Sequence, residues 1–249
     1  MTGDREERVL SIVCVYNDRD VLDRCLVASL NEQNYKNYET VFVDNTGNRF
    51  KTMEDAFRHA LTQVKGELVA FTHQDIVFLS PGALQSIIDA ASAVPDLGVA
   101  GVAGAPYSKK KPLTVSNILQ GKNRERAAIY GCDAFYPCQT VDECFFVVPK
   151  PVLDEYPFNG LMNWHLYAVD YCLKMGENGK TVGVVPAGDI LHLSPGVSLN
   201  RSYLTAIKKV FAAHPGTRIV YTTMGAWKRG LRLFISFYVK LLKMRIKNH

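Results

Sequence analysis

Three nearly continuous apolar stretches in the first third of the chain each run into a polar end, and the segments between them repeat with helical period. Residues 9–16 (Val-Leu-Ser-Ile-Val-Cys-Val-Tyr) stop at Asn17-Asp18, residues 39–44 end on Asp44 before Asn45-Thr46-Gly47, and residues 67–72 run into His73-Gln74-Asp75. A run as apolar and branched as residues 9–16 is buried on both faces, as strands of a parallel sheet are. Between them, Val21, Leu22, Cys25, Leu26 and Ser29 share one helical face, and Met53, Ala56, Phe57, Ala60, Leu61 and Val64 share another. Asp18 or Asp20 starts the first helix; Thr52 with Asp55 makes a capping box for the second, and Gly66 is its expected stop. Alternation of this kind predicts an α/β fold, a doubly wound, mostly parallel sheet with helices on both faces.

The pattern continues with a helix after Ser80-Pro81 (Leu84, Ile87, Ile88, Ala91) and a small-residue strand at 99–105. It breaks at Pro106. Residues 106–128 carry Lys109, Lys110, Lys111, Lys122, Arg124 and Arg126 among Ser, Asn and Gly, which predicts a long loop, either simply solvated or facing a polyanion. A strand at 140–148, a helix over 163–179 containing His165 and Asp170, a strand at 181–186, a turn holding His192, and a helix capped by Asn200 complete the body. The organisation expected is one domain over residues 1–215 and a tail over 216–249.

Charge is unevenly placed. Residues 224–249 hold seven Lys and Arg and no acid, so the formal +5 of the whole chain leaves −2 for the remainder. A basic nucleic-acid-binding surface is therefore not expected, and no such motif is present. The six cysteines lack CxxC spacing and lie mostly within apolar runs, as reduced buried thiols do. No apolar h-region follows Met1 and no run reaches spanning length, which points to a cytoplasmic protein.

In doubly wound sheets, ligands bind beyond the carboxyl ends of the strands. Tyr16-Asn17, Asp44-Asn45 and His73-Gln74-Asp75 would thus converge on one edge. An imidazole, an amide and a carboxylate between apolar flanks gain nothing unless they reach a cleft, a metal or one another.

These features together resemble the GT-A fold of family 2 glycosyltransferases over about residues 8–215: a strand ending in Tyr-Asn, one ending in Val-Asp-Asn, one ending in an Asp-bearing triplet, and a later Asp-bearing helix followed by Ile-Leu-His. The resemblance implies a nucleotide-diphosphate sugar as donor, with Tyr16, Asn17, Asp44 and Asn45 near its nucleoside and His73 near the nucleotide or the metal. It implies a divalent metal, Mn²⁺ or Mg²⁺, on Asp75 and His192; imidazole favours Mn²⁺ over Mg²⁺. Only the last residue of the family's DXD triplet is kept here. The family's usual base position falls on Ala168, leaving Asp170 first and His165 second as base, with Asp142, Glu143 and Trp164 facing the acceptor. Inversion at the sugar, a glycan or polyprenyl-linked acceptor, and a place in surface polysaccharide assembly are also implied. A non-catalytic sugar-nucleotide or glycan binding module stays open as the alternative. Nucleotidyl transfer is disfavoured because residues 14–18 lack a glycine-rich phosphate loop.

On a helical wheel, six of the seven basic residues of the tail share one third of the circumference, with Arg245 outside it and apolar residues over most of the rest. That is the pattern of a helix in an anionic membrane interface, peripheral at the inner face of the cell membrane. Packing on the domain or on a second copy, as a homodimer, is the other reading.

Overall fold

The computed structural model describes residues 9–108, 112–127, 129–194 and 199–247, with side chains to residue 242. The residues before Val9, Lys109 to Lys111 of the basic loop, and the side chains of Lys243, Arg245 and Lys247 lie outside the described residues.

β1 (Leu10–Tyr16) leads into α1 (Arg19–Leu22) and α2 (Ala28–Asn31), joined by a π-helical turn at Asp23–Val27. Asp18 caps α1 by accepting the Val21 N–H. β2 (Tyr38–Asp44) precedes α3 (Met53–Leu61), whose first turn is held by Thr52 Oγ1 accepting the Asp55 N–H. The helix ends at Thr62, not at the expected Gly66. Gly66 serves a different need: a Cβ there would lie 2.6 Å from Ser11 Oγ and the Val9 carbonyl, so only glycine lets the chain enter the sheet against β1.

β3 (Leu68–Thr72) and β4 (Ile76–Phe78) flank the His73-Gln74-Asp75 turn, and α4 (Ala83–Ser92) follows. The expected strand at 99–105 is two strands in different sheets, β5 (Leu97–Gly101) and β6 (Ala103–Ala105). The expected loop contains β7 (Val115–Ser116) and β8 (Ile118–Gln120), and β9 (Ile129–Tyr130) and β10 (Tyr136–Pro137) come next. The strand expected at 140–148 is broken at the Asp142-Glu143 pair into β11 (Thr140–Val141) and β12 (Phe145–Pro149). α5 (Lys150–Glu155), α6 (Tyr167–Glu177), β13 (Thr181–Val184), β14 (Ile190–His192) and α7 (Arg201–Ala213) complete the body. Trp164 and His165 therefore precede α6 instead of lying in it.

The main sheet has the order β10-β13-β5-β12-β3-β1-β2. β1 pairs in parallel with β2 and β3, and β13 with β5, whereas β12 runs against both β3 and β5 and β10 runs against β13. The sheet is mixed, with five strands in one direction. Successive residues serve opposite faces: Val13, Phe71 and Phe146 pack with α3, α6 and α7, while Ile12, Ala70 and Phe145 pack with α1 and α4. Rings of Phe57, Phe71, Phe146 and Phe158 stack or meet edge-on at the centre of the first layer. Phe57, Phe71 and Phe146, almost wholly buried, each contribute about 2–3 kcal/mol through burial.

The last segment is not a free tail. β15 (Ile219–Thr222) and β16 (Gly225–Lys228) form an antiparallel hairpin, and α8 (Leu231–Lys247) follows it. Val220, Trp227, Leu233 and Phe237 are buried in the same core as α6 and α7. Among the described residues no helix is long and apolar enough to cross a membrane. All six cysteines are unbridged, five buried and Cys132 half-buried.

Candidate active site

Parallel pairing brings the ends of β1, β2 and β3 to one edge, with Tyr16 opposite Asp44 and Cys14 opposite Thr72. The ends are tied together by Gln74. Its Oε1 accepts the N–H groups of Asn17 (2.9 Å) and Asp18 (3.1 Å), and its Nε2 donates to Asn17 Oδ1 (2.9 Å). The Asn45 N–H donates to the Tyr16 carbonyl at 2.8 Å. Asp44 is exposed, and the Thr46 N–H and hydroxyl hold its carboxyl below the usual range. The Asn45 carboxamide is buried and closes its own loop on Phe50, accepting the N–H at 2.8 Å and donating to the carbonyl at 3.3 Å. Its side chain is thus engaged by its own loop, unlike the exposed Asp44 beside it. The Arg19 guanidinium lies 5.8 Å from the Tyr16 ring centre.

One step further along the edge, His73, Asp75 and His192 offer ligand atoms within 4.8 Å of one another. β14 runs antiparallel to β4, which pairs His192 with Ile76 and so brings its ring beside Asp75. His192 Nε2 lies 3.4 Å from Asp75 Oδ1 and 3.4 Å from His73 Nδ1. Such separations are what bonds of about 2.0–2.2 Å to one ion produce.

The remaining atoms are held from behind. His192 Nδ1 lies 3.0 Å from Gln120 Nε2, His73 Nε2 lies 3.2 Å from the Tyr167 hydroxyl, and Asp75 Oδ2 accepts the Ser194 N–H at 3.0 Å. Gln120 Nε2 also donates to the Ser194 carbonyl. Each imidazole thus turns one nitrogen to the cluster and has the other fixed by a neighbour, the arrangement that orients metal ligands. Burial and the neighbouring His192 push His73 down to about 4, keeping its ring neutral. Burial pushes Asp75 up, but the hydrogen bond and charge of His192, with His73 and the Ser194 N–H, prevail and bring it to about 2. Two imidazoles and a carboxylate are a donor set that can hold a divalent metal ion.

Beside this cluster opens a cavity of about 540 Å³, lined among others by His73, Asp142, Glu143, Trp164, His165 and His192. Arg126 reaches its wall and stacks over the Tyr130 ring at 4.5 Å. Asp142 Oδ1 accepts the Cys144 N–H (3.1 Å) and Oδ2 accepts the Thr223 hydroxyl (2.5 Å). Burial pushes Asp142 up, but these bonds win and leave it below its ordinary value. Glu143 is pushed well above the carboxylate range by burial and by Asp142.

Asp170, the expected first-choice base, does not line this cavity. It is 1% exposed, accepts Asn159 Nδ2 at 2.8 Å and lies 3.0 Å from His214 Nε2. Helical spacing from Ala168 turns it into the layer between α6 and α7. Gln120, Tyr167, Ser194 and Thr223 went unnoticed in the sequence. Of these only Ser194 had a signal, sitting two residues from His192 and so on the same side of an extended chain.

A mixed sheet flanked by helices, with polar residues gathered at one edge, has the architecture of the GT-A fold. A family profile described as "Glycosyltransferase like family" matches residues 10–213, and the chain belongs to that family. Among solved structures, GalNAc-T7 with UDP, GalNAc and Mn²⁺ is similar with a TM-score of 0.62 at 13% identity, over 84% of this chain and 48% of that one. The mannosyltransferase PcManGT from Pyrobaculum calidifontis, in complex with GDP-Man and Mn²⁺, gives 0.58 at 14%, over 84% and 64%. TarS from S. aureus, residues 1–349, gives 0.53 at 14%, over 83% and 65%. This chain spans between about half and two thirds of those chains. No curated protein matches it.

Proposed function

We propose that the protein transfers a sugar, with inversion, from a nucleotide-diphosphate donor to a glycan or lipid-linked glycan acceptor, using a divalent metal. The observation that carries this reading is the convergence of His73, Asp75 and His192 at the strand ends beside an open cavity. A metal ion held there would neutralise the charge developing on the leaving diphosphate. Arg126 adds a fixed positive charge to the same wall. Tyr16, Asn17 and Asp44 lie at the neighbouring strand ends, where they would meet the nucleoside. The acceptor would enter past Trp164, which is 38% exposed at the cavity wall. PcManGT and GalNAc-T7, whose structures hold GDP-Man or UDP together with Mn²⁺, give this reading a precedent in fold.

A lipid-linked acceptor in surface polysaccharide assembly fits α8. Leu231, Ile235, Tyr238, Val239 and Leu242 are all about half-exposed or more, opposite the buried Leu233 and Phe237. With no acid after residue 223 and basic residues through the segment, this apolar face suits the anionic inner face of a membrane. A non-catalytic sugar-nucleotide binding module is the second reading, favoured by the absence of an acid at Ala168.

Calorimetry with UDP-, GDP- and dTDP-sugars, with and without Mn²⁺, tests the proposal: one donor class should bind and require the metal. Binding by none would remove it. Slow donor hydrolysis that disappears in Asp75→Ala would separate an enzyme from a binding module.

A further inference from the structure

We propose that Glu143 is the catalytic base that takes the proton from the acceptor hydroxyl. The inference rests on the transferase reading above and begins from what α6 does not offer. Its two acids, Asp170 and Glu177, both pair with His214, so the helix at the cavity wall supplies no carboxylate to the cavity.

Among the described residues, the proton-accepting side chains that line the cavity are His73, Glu125, Asp142, Glu143, His165 and His192. His73 and His192 turn a nitrogen to Asp75, Glu125 is exposed at the rim, and both oxygens of Asp142 accept hydrogen bonds. Glu143 and His165 remain.

Glu143 is the better placed. It stands in the turn between β11 and β12, and β12 begins with Phe145 opposite Thr72, so it shares the sheet edge with His73. The Tyr167 hydroxyl spans the two residues, 3.2 Å from His73 Nε2 and 3.4 Å from the Glu143 carbonyl. Glu143 Oε1 is closed off from solvent and has no hydrogen-bond partner. A buried carboxylate oxygen without a partner is costly to keep unless a ligand completes it.

The backbone offsets part of that cost. The N–H groups of Leu166, Tyr167 and Ala168, at the start of α6, face Glu143 and act against the burial that raises it. Leu166 takes a left-handed conformation with φ 65° while almost fully buried, a strained geometry for a branched residue that sets the entry into that turn. His165 lacks these features: it is half-buried against the Tyr203 ring, 6.0 Å between centres, and burial lowers its basicity.

In the step, a Glu143 oxygen accepts the acceptor's hydroxyl proton as that hydroxyl oxygen bonds to the anomeric carbon. The bond from that carbon to the diphosphate oxygen breaks, and its electron pair leaves on the diphosphate. Removing such a base lowers turnover by about 10²–10⁴-fold.

The experiment uses the full chain with Mn²⁺ and the nucleotide sugar selected by calorimetry, and measures donor affinity and donor hydrolysis separately. Glu143→Gln should bind the donor like the unmodified protein and lose at least about 100-fold in turnover. Glu143→Asp should recover part of that loss, and His165→Gln should keep most of the activity. A Glu143→Gln protein that binds donor and turns over within about threefold of the unmodified protein would overturn the assignment, as would a comparable loss confined to His165→Gln. If the unmodified protein binds no donor, the transferase reading falls first and this inference falls with it.

Discussion

Nε2 of His214 lies 3.0 Å from Oδ1 of Asp170, and both side chains are almost wholly buried. The other ring nitrogen lies 2.8 Å from Glu177 Oε2, so one imidazole at the end of α7 joins the two acids of α6. Asp170 is thereby a structural carboxylate, and its conformation is fixed by the helix packing it helps to hold.

A pH dependence follows from this clasp. Burial acts to lower His214, but hydrogen bonds to Asp170 and Glu177 outweigh it and raise the group above its ordinary 6.5. Since the folded value exceeds the unfolded one, the stabilisation is complete below 6.5 and is lost as pH rises through the raised value. Thermal melts of the native protein and His214→Gln should differ most in mildly acidic buffer and converge as pH increases. At the acidic end the substitution should cost about 3 kcal/mol, as breaking a buried pair does. Donor binding should survive, because His214 does not line the cavity.

Gln120 offers a test of the proposed metal site that leaves His73, Asp75 and His192 in place. Its carboxamide fixes His192 Nδ1 at 3.0 Å, and Gln120→Leu removes that support without touching His73, Asp75 or His192. Mn²⁺ affinity, measured by calorimetry, should fall about 10–100-fold. Asp75→Ala should abolish binding, and Asp18→Ala, at a helix cap outside the cluster, should leave it unchanged.

Much of this site was legible in the sequence because it is local. Strand ends, the His73-Gln74-Asp75 triplet and His192 each sit where an apolar run meets polar residues, and parallel pairing does the rest. What escaped depends on contacts distant in sequence. β12 is buried on both faces, as parallel strands are, so Phe145 to Val148 carry no sign of their reversed direction. Asp170 looks like a base until His214, 44 residues away, closes on it. Gln120 lay in a stretch rich in Lys, Asn and Gly, where a short strand parallel to β14 leaves no periodic trace. Trp164 and His165 satisfied a helical pattern, but the left-handed Leu166 delays the helix to Tyr167.

The two apolar faces of α8 should respond differently to substitution. Phe237 is 1% exposed, and Phe237→Ala should cost about 3–5 kcal/mol. Ile235 (58% exposed) and Val239 (49%) contribute little to the core, and changing both to Asp should alter stability by less than about 1 kcal/mol. That double substitution should instead release the protein from phosphatidylglycerol vesicles in a sedimentation assay, with neutral phosphatidylcholine vesicles capturing neither form. A dimer that dissociates on the same change, with no vesicle binding by the native chain, would assign the face to a second copy.

Ending the chain after Pro215 tests whether the last segment is an appendage. The hairpin and α8 place Val220, Trp227, Leu233 and Phe237 in the core at no more than 3% exposure. At about 2 kcal/mol for each buried side chain, their loss removes about 8 kcal/mol, comparable to the whole stability of a typical domain. Polar partners go with them. Gln139 Nε2 donates to the Ile219 carbonyl at 3.0 Å, Thr140 Oγ1 donates to the Tyr221 carbonyl at 2.6 Å, and Asp142 would lose the Thr223 hydroxyl, freeing an oxygen beside Glu143. The shortened chain should therefore be insoluble or lack a cooperative thermal transition by circular dichroism. Trp227→Ala within the full chain should show the same weakness in milder form, about 3–5 kcal/mol, because it also strips Thr222 of the indole N–H it accepts at 3.0 Å. A shortened protein that melts at the native temperature would mean that residues 216–249 lie on a core complete without them.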